Sequence, residues 1–168
     1  MASGFEKTAV DGRILHGGSG MAVAQLGRLC VVIWRDGVIH ARFEQQRAAL
    51  AEVVRSQPGG VGFLCIIEPT AKPPDDELRR ASIEMITSHG AQLKCTAVVI
   101  EGEGFKAAIT RGVLSGMALL LSRKVHAEAF SSAETAIKWM RDQLPMPPIE
   151  TVVDFVEALR QQLEPARK

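Results

Sequence analysis

A mixed, mostly parallel α/β sheet is the fold class this sequence predicts, and three observations carry the prediction. Four short apolar runs, at 21–26, 29–34, 61–67 and 93–100, have the length and the β-branched content of buried strands. Longer stretches with helical periodicity lie between and after them, and turn or capping residues mark the joins. The resulting order is β-β-α-β-α-β-α-β-α with an appended α. Strands separated by helices imply right-handed crossovers, so the first hairpin is left to supply the antiparallel pairing.

Taken in order, residues 1–20 read as a flexible lead-in ending in Gly17-Gly18-Ser19-Gly20. With no convincing strand before these glycines or helix after them, a hinge fits better than a phosphate loop. Met21 to Leu26 and Leu29 to Trp34 form two strands, and the unbroken Cys-Val-Val-Ile-Trp run of the second suits a strand covered on both faces. Asp36-Gly37 marks a turn. Val38-Ile39-His40 fits either a short strand or the approach to a helix. From about Phe43 to Ser56, Leu50, Val53 and Val54 make a helical stripe, stopped by Pro58-Gly59-Gly60.

The strand from Val61 to Ile67 ends at Pro69, which cannot donate to a ladder. Asp75, Asp76 and Glu77 then supply acidic groups where a helix start needs them. Leu78, Ala81, Met85 and Ile86 mark that helix's apolar face, and His89-Gly90 closes it. A strand from Leu93 to Ile100 follows, then a helix from Phe105 to about Ser122 and a strand over Val125 to Phe130. Ser131 or Ser132 caps the next helix, with Ala136, Ile137, Met140 and Leu144 on its apolar side. Pro145-Met146-Pro147-Pro148 breaks it. A last amphipathic helix runs from Ile149 to Leu163, so residues 21–144 read as the domain and 145–168 as a linker with an appended helix.

Composition excludes several classes. The 168 residues are 46% hydrophobic and 23% charged, the size and make-up of one globular domain. A net charge of +1 without a basic cluster argues against nucleic acid. The longest apolar stretch, Gly112 to Leu121, is interrupted by Ser115 and Gly116 and is too short to span a bilayer. No secretory leader pattern opens the chain, and Cys30, Cys65 and Cys95 sit inside apolar runs without metal-site spacing, so buried reduced thiols in a cytoplasmic protein are expected. Without tyrosine, and with Trp34 and Trp139 expected in or near the core, no stacking platform for bases or sugars can be assembled.

Two acidic turns stand at matching points, each ending a strand and leading toward a helix: Glu68-Pro69-Thr70 and Glu101-Gly102-Glu103-Gly104-Phe105. In open α/β sheets, ligands meet the fold beyond the carboxyl ends of the strands, so these turns are the first candidates for function. Glu68 and Glu101 stand on strands expected to be neighbours, and paired carboxylates can divide into acid and base or hold a cation. Their turns hold no lysine, histidine or cysteine to act beside them, and His16, His40, His89 and His126 are scattered. A catalytic or metal role is therefore the weakest reading, and no cofactor is called for. Gly102 and Gly104 give a turn that admits positive φ, with Phe105 as a core plug at the helix start.

The order of elements, with the closing segment Val125-His-Ala-Glu-Ala-Phe130-Ser-Ser-Ala-Glu-Thr-Ala-Ile-Lys-Trp139-Met140, resembles the anti-sigma-factor antagonist (STAS) and SpoIIAA-like domains across about residues 21–144. That resemblance implies a sheet of four to five strands with helices largely on one face. It also implies a non-enzymatic regulatory or protein-interaction role. Phosphorylatable members carry an Asp-Ser-Ser-Gly-like motif after the third strand, whereas the corresponding stretch here, Glu68 to Glu77, has no serine. Asp75 and Asp76 put fixed negative charge near where a phosphate would sit, and Thr70 is the one hydroxyl left. The expected partner contacts are thus Glu68, Thr70, Asp75, Asp76, Glu101, Glu103 and Phe105.

One surplus stands out. The helix from Phe105 carries apolar residues over more of its circumference than covering a sheet requires. The terminal helix is the nearest expected cover, and a second subunit the other. Should the terminal helix swing away, an apolar pocket beneath the two helices could hold a small ligand or lipid, which is the alternative function.

Overall fold

The computed structural model describes residues 12–121 and 123–165, with the side chains at 105, 106, 109, 114 and 118 outside that description. A six-stranded sheet runs in the order β1 (Gly12–His16), β2 (Met21–Leu26), β3 (Leu29–Trp34), β4 (Val61–Ile67), β5 (Leu93–Ile100) and β6 (Ala127–Phe130). The first three strands pair antiparallel and the last four parallel. Helices α1 (His40–Ser56), α2 (Asp76–Ser88) and α3 (Phe105–Leu121) are the crossovers, and α4 (Ala133–Arg141) and α5 (Ile149–Gln162) follow the last strand.

This order explains where the helices lie. Each parallel strand is laid beside its predecessor in the same direction, and right-handed crossovers taken one way put every connecting helix on one face. Phe43, Leu50 and Val53 of α1, Leu78 and Met85 of α2 and Leu121 of α3 accordingly pack on that face, over Val23, Val32, Trp34 and Phe63. The chain then turns under the sheet. Ile137 and Met140 of α4 with Val152, Val156 and Leu159 of α5 cover Ala22, Ala24, Ile33, Ile66 and Val99. Three helices on one face and two on the other is a less one-sided division than the resemblance implies, and it accounts for β2 and β3 being buried at every position.

Local signals set the element ends. Asp75 Oδ1 accepts from the Leu78 amide at 2.8 Å and caps α2, and Ser132, the second of the two serines considered, caps α4 from Oγ to the Thr135 amide. Val38-Ile39-His40 proves to be the approach to α1. The last strand starts at Ala127 rather than Val125, because Lys124 and Val125 still donate to Leu121 O in the turn that ends α3.

Two expectations need correction. Residues 12–16, assigned to the flexible lead-in, form edge strand β1, whose Gly12 lies where an added Cβ would stand 2.6 Å from the ring of Phe155 on α5. The terminal helix does not cover α3, and among the described residues the two helices do not share a pocket, because α5 packs against α4, β2 and β3 on the opposite face of the sheet. An amphipathic stripe says which residues are buried, not which face buries them.

Candidate functional site

Trp34, Ile67 and Ile100 stand side by side in the parallel register, so the residues that follow them, Arg35, Glu68 and Glu101, form one more rung past the ends of three adjacent strands. The ladder extends into that rung, as the Glu68 amide donates to Trp34 O at 2.9 Å and the Glu101 amide to Ile67 O at 3.0 Å. Side chains alternate along a strand, so the rung points to the side of Ile33, Ile66 and Val99, where α5 lies.

There, Arg160 of α5 completes a largely buried charged clasp. Its Nη1 donates to Glu68 Oε1 at 2.9 Å and to Glu101 Oε2 at 3.0 Å, while Nη2 bonds Glu101 Oε1. Arg35 grips Glu68 through both carboxylate oxygens, at 2.6 and 3.0 Å, the bidentate geometry that suits guanidinium. From the same fork, Arg35 donates to Leu163 O at 2.9 Å and to Arg160 O at 3.3 Å, the latter a carbonyl that also accepts from the Leu163 amide, so the end of α5 is tied to the end of β3. Two cations thus meet two anions, with Glu157 bonded to Arg160 from the exposed side.

Burial alone would raise the Glu68 carboxyl, but hydrogen bonds from Arg35 and Arg160 outweigh it and hold the group below the ordinary carboxylate range. Burial likewise opposes the charge on Arg160, and its bonds to Glu101 and Glu68 more than compensate, raising its pKa. The hydrogen bond to Glu68 does the same for Arg35. Because the folded pKa of Glu68 lies below the unfolded one, near 4.5, its contribution to stability is fully present above about that pH and disappears as pH falls through the folded value. Melting temperature is expected to hold level from near-neutral pH down to the carboxylate range and then to fall, with a shallower fall in Glu68→Gln. Equal acid slopes for the two proteins, followed by circular dichroism, would contradict this account.

The sequence thus correctly brings Glu68 and Glu101 together, since a single nitrogen reaches both. The group that stands between them is the Arg160 guanidinium. Arg35 and Arg160 are the residues that sequence reasoning missed. Arg35 adjoins its strand in the register of the two glutamates and could have been found there, but Arg160 lies 92 residues from Glu68 and leaves no local signal.

The remaining candidates divide. Thr70 is exposed and its hydroxyl donates to Arg35 O at 2.6 Å, tying the first turn to the end of β3. Asp75 caps α2, and Asp76 pairs with Arg79 while staying largely open to solvent. Glu103 is exposed, between Gly102 at φ +109° and Gly104 at φ +95°, both in the left-handed region that the turn requires. Pro69 packs where a Cβ on Gly102 would stand, so the two turns touch. Phe105 opens α3, and its side chain lies outside the described residues. Among the described residues, no group of three or more His, Cys, Asp or Glu side chains is placed to hold a metal ion.

A second feature lies on the other face. A cavity of about 70 Å³ sits between α1, α2 and α3 and the sheet, lined mainly by apolar side chains that include Trp34, Phe63, Met85 and Met117. Its floor includes Cys65 and Val98, register partners in the middle of β4 and β5, and both are half-buried although they lie mid-strand. All three cysteines were expected to be buried, so Cys65 departs from that. Burial still pushes its thiol up to about 12.

These features define a singly wound α/β domain with charges sealed at one sheet end and an apolar cavity on one face. No family model and no curated protein matches the sequence. Among solved structures, the chain is similar to the crystal structure of an uncharacterized DUF3478-family protein with a SpoIIAA-like fold from Shewanella loihica PV-4. Identity is 13%, the match covers 81% of this chain and 98% of that one, and the TM-score is 0.45. Among the described residues, no helix is long and apolar enough to cross a membrane.

Proposed function

We propose that this chain is a non-enzymatic regulatory or protein-interaction module, meeting its partner at the rim formed by Thr70, Asp75, Asp76 and Glu77, with Glu103 beside it. The observation that carries this reading is the clasp: the two carboxylates that could have done acid–base work are occupied by Arg35 and Arg160. The exposed acids left at this end of the sheet favour a partner with a cationic surface. Glu101→Lys would disturb the clasp, so a clean probe must avoid it. The double substitution Asp76→Lys, Glu77→Lys is expected to abolish affinity capture of the partner at a stability cost of about 1–2 kcal/mol, from reversing two favourable charges at the start of α2, with a cooperative melting transition retained. Equal capture by wild type and variant, identified by mass spectrometry, would sink the reading.

The half-buried floor of the cavity supports a second function, binding of a small apolar molecule. This site is bounded by α1, α2 and α3, not by the terminal helix. Native mass spectrometry of freshly purified protein is expected to show a bound mass that Val98→Phe removes. An unliganded wild-type spectrum would count against it.

A further inference from the structure

The outward side of α3 spans an arc of about 160° on which the described residues carry no charge. Val113, Leu119 and Leu120 are 41%, 67% and 59% exposed, with Gly112, Ser115 and Gly116 exposed among them. From Ala107 to Leu121 the one charged residue is Arg111, which is half-buried and donates to Gly102 O at 2.6 Å. A helix side that faces solvent is ordinarily polar. This one is composed as an interface.

Its other charges lie at the two ends, Lys106 in the first turn among them with its side chain outside the described residues. Glu103 is exposed just before the helix, Arg123 and Lys124 are exposed just after it, and no acidic residue intervenes before Glu128. We propose that this face is covered by α3 of a second copy of the chain, packed antiparallel about a two-fold axis. A crossing centred between Gly112 and Gly116 sets Gly104 of one copy opposite Lys124 of the other. Each Glu103 then meets the basic end of the opposite helix, and symmetry supplies that pairing twice. A parallel crossing would place Arg123 and Lys124 against themselves. Nothing lies within 4 Å of where a Cβ would stand on Gly112 or Gly116, so the two helix axes can approach closely. An anionic lipid surface would attract the basic end but repel Glu103, so the second copy is the better match.

The helix is about 25 Å long, and its face alone is smaller than the roughly 800 Å² per partner of a standard stable interface. The dimer should therefore exchange with monomer as concentration changes. Sedimentation equilibrium from micromolar to millimolar protein is expected to show the mass rising from one chain toward two. Glu103→Lys alone, and Arg123→Glu with Lys124→Glu, should each weaken association about tenfold or more, and all three substitutions together should restore it. Leu120→Glu should abolish it, with unchanged melting curves showing that every variant is folded. A monomer at all concentrations, or a dimer indifferent to the charge reversals, would overturn the proposal. So would a monomer that sediments with phosphatidylserine vesicles, which would assign the face to a lipid surface.

Discussion

Arg160→Ala is expected to cost about 3–5 kcal/mol, the penalty for removing one partner from a largely buried ion pair, because Glu101 loses its counter-charge and Glu68 keeps Arg35 alone. For a chain of this size that is a fall of roughly 6–20 °C in Tm. The magnitude follows from burial: side-chain exposure is 16% for Arg160, 9% for Glu68 and 22% for Glu101, so solvent screens little of the loss. With Glu68→Gln and Glu101→Gln already in place, the same Arg160→Ala change should cost much less, because no buried anion remains to be stranded. If Arg160→Ala costs under about 1 kcal/mol, or costs the same in both backgrounds, the clasp behaves as an ordinary surface ion pair.

Truncation after Pro148 is expected to do more and to abolish the fold. Val152, Phe155, Val156, Leu159 and Leu163 are each at most 8% exposed, and all belong to the core cluster beneath β2 and β3. At about 1.5–3 kcal/mol for each buried side chain, their loss is comparable with the whole stability of a typical domain, about 5–15 kcal/mol. The shortened chain should give neither a cooperative thermal transition nor dispersed amide resonances. A truncated protein that melts cooperatively near the wild-type temperature would make the helix an appendage, as its proline-rich approach suggests in the sequence.

What was legible follows from whether the signal is local. The four central strands are largely apolar on both faces, interrupted by Gln25 in β2 and by Lys94 and Thr96 in β5, so each reads as a compact run whose ends match the structure. Asp75 and Ser132 announce α2 and α4 because a cap acts within three residues of itself. Strand β1 was hidden by its position at the sheet edge: Arg13 and Ile14 are exposed, and a bulge between Ile14 and His16 breaks its register. The site was half legible. Two glutamates after two parallel strands could be placed together from the topology, but their meaning depended on α5. Nothing in a helical stripe told that α5 would pass beneath the sheet and bring Arg160 to them.

That same path has a consequence for synthesis. Arg35 is bonded to the carbonyls of Arg160 and Leu163, 125 and 128 residues later in the chain. At a translation rate of about 5–20 residues per second, the underside of the β2–β3 hairpin emerges on the order of 6–25 s before the helix that shields it. Through that interval a nascent chain displays Ala22, Ala24, Val31 and Ile33 to the cell, making the ribosome-bound intermediate, rather than the finished protein, the form most in need of a chaperone.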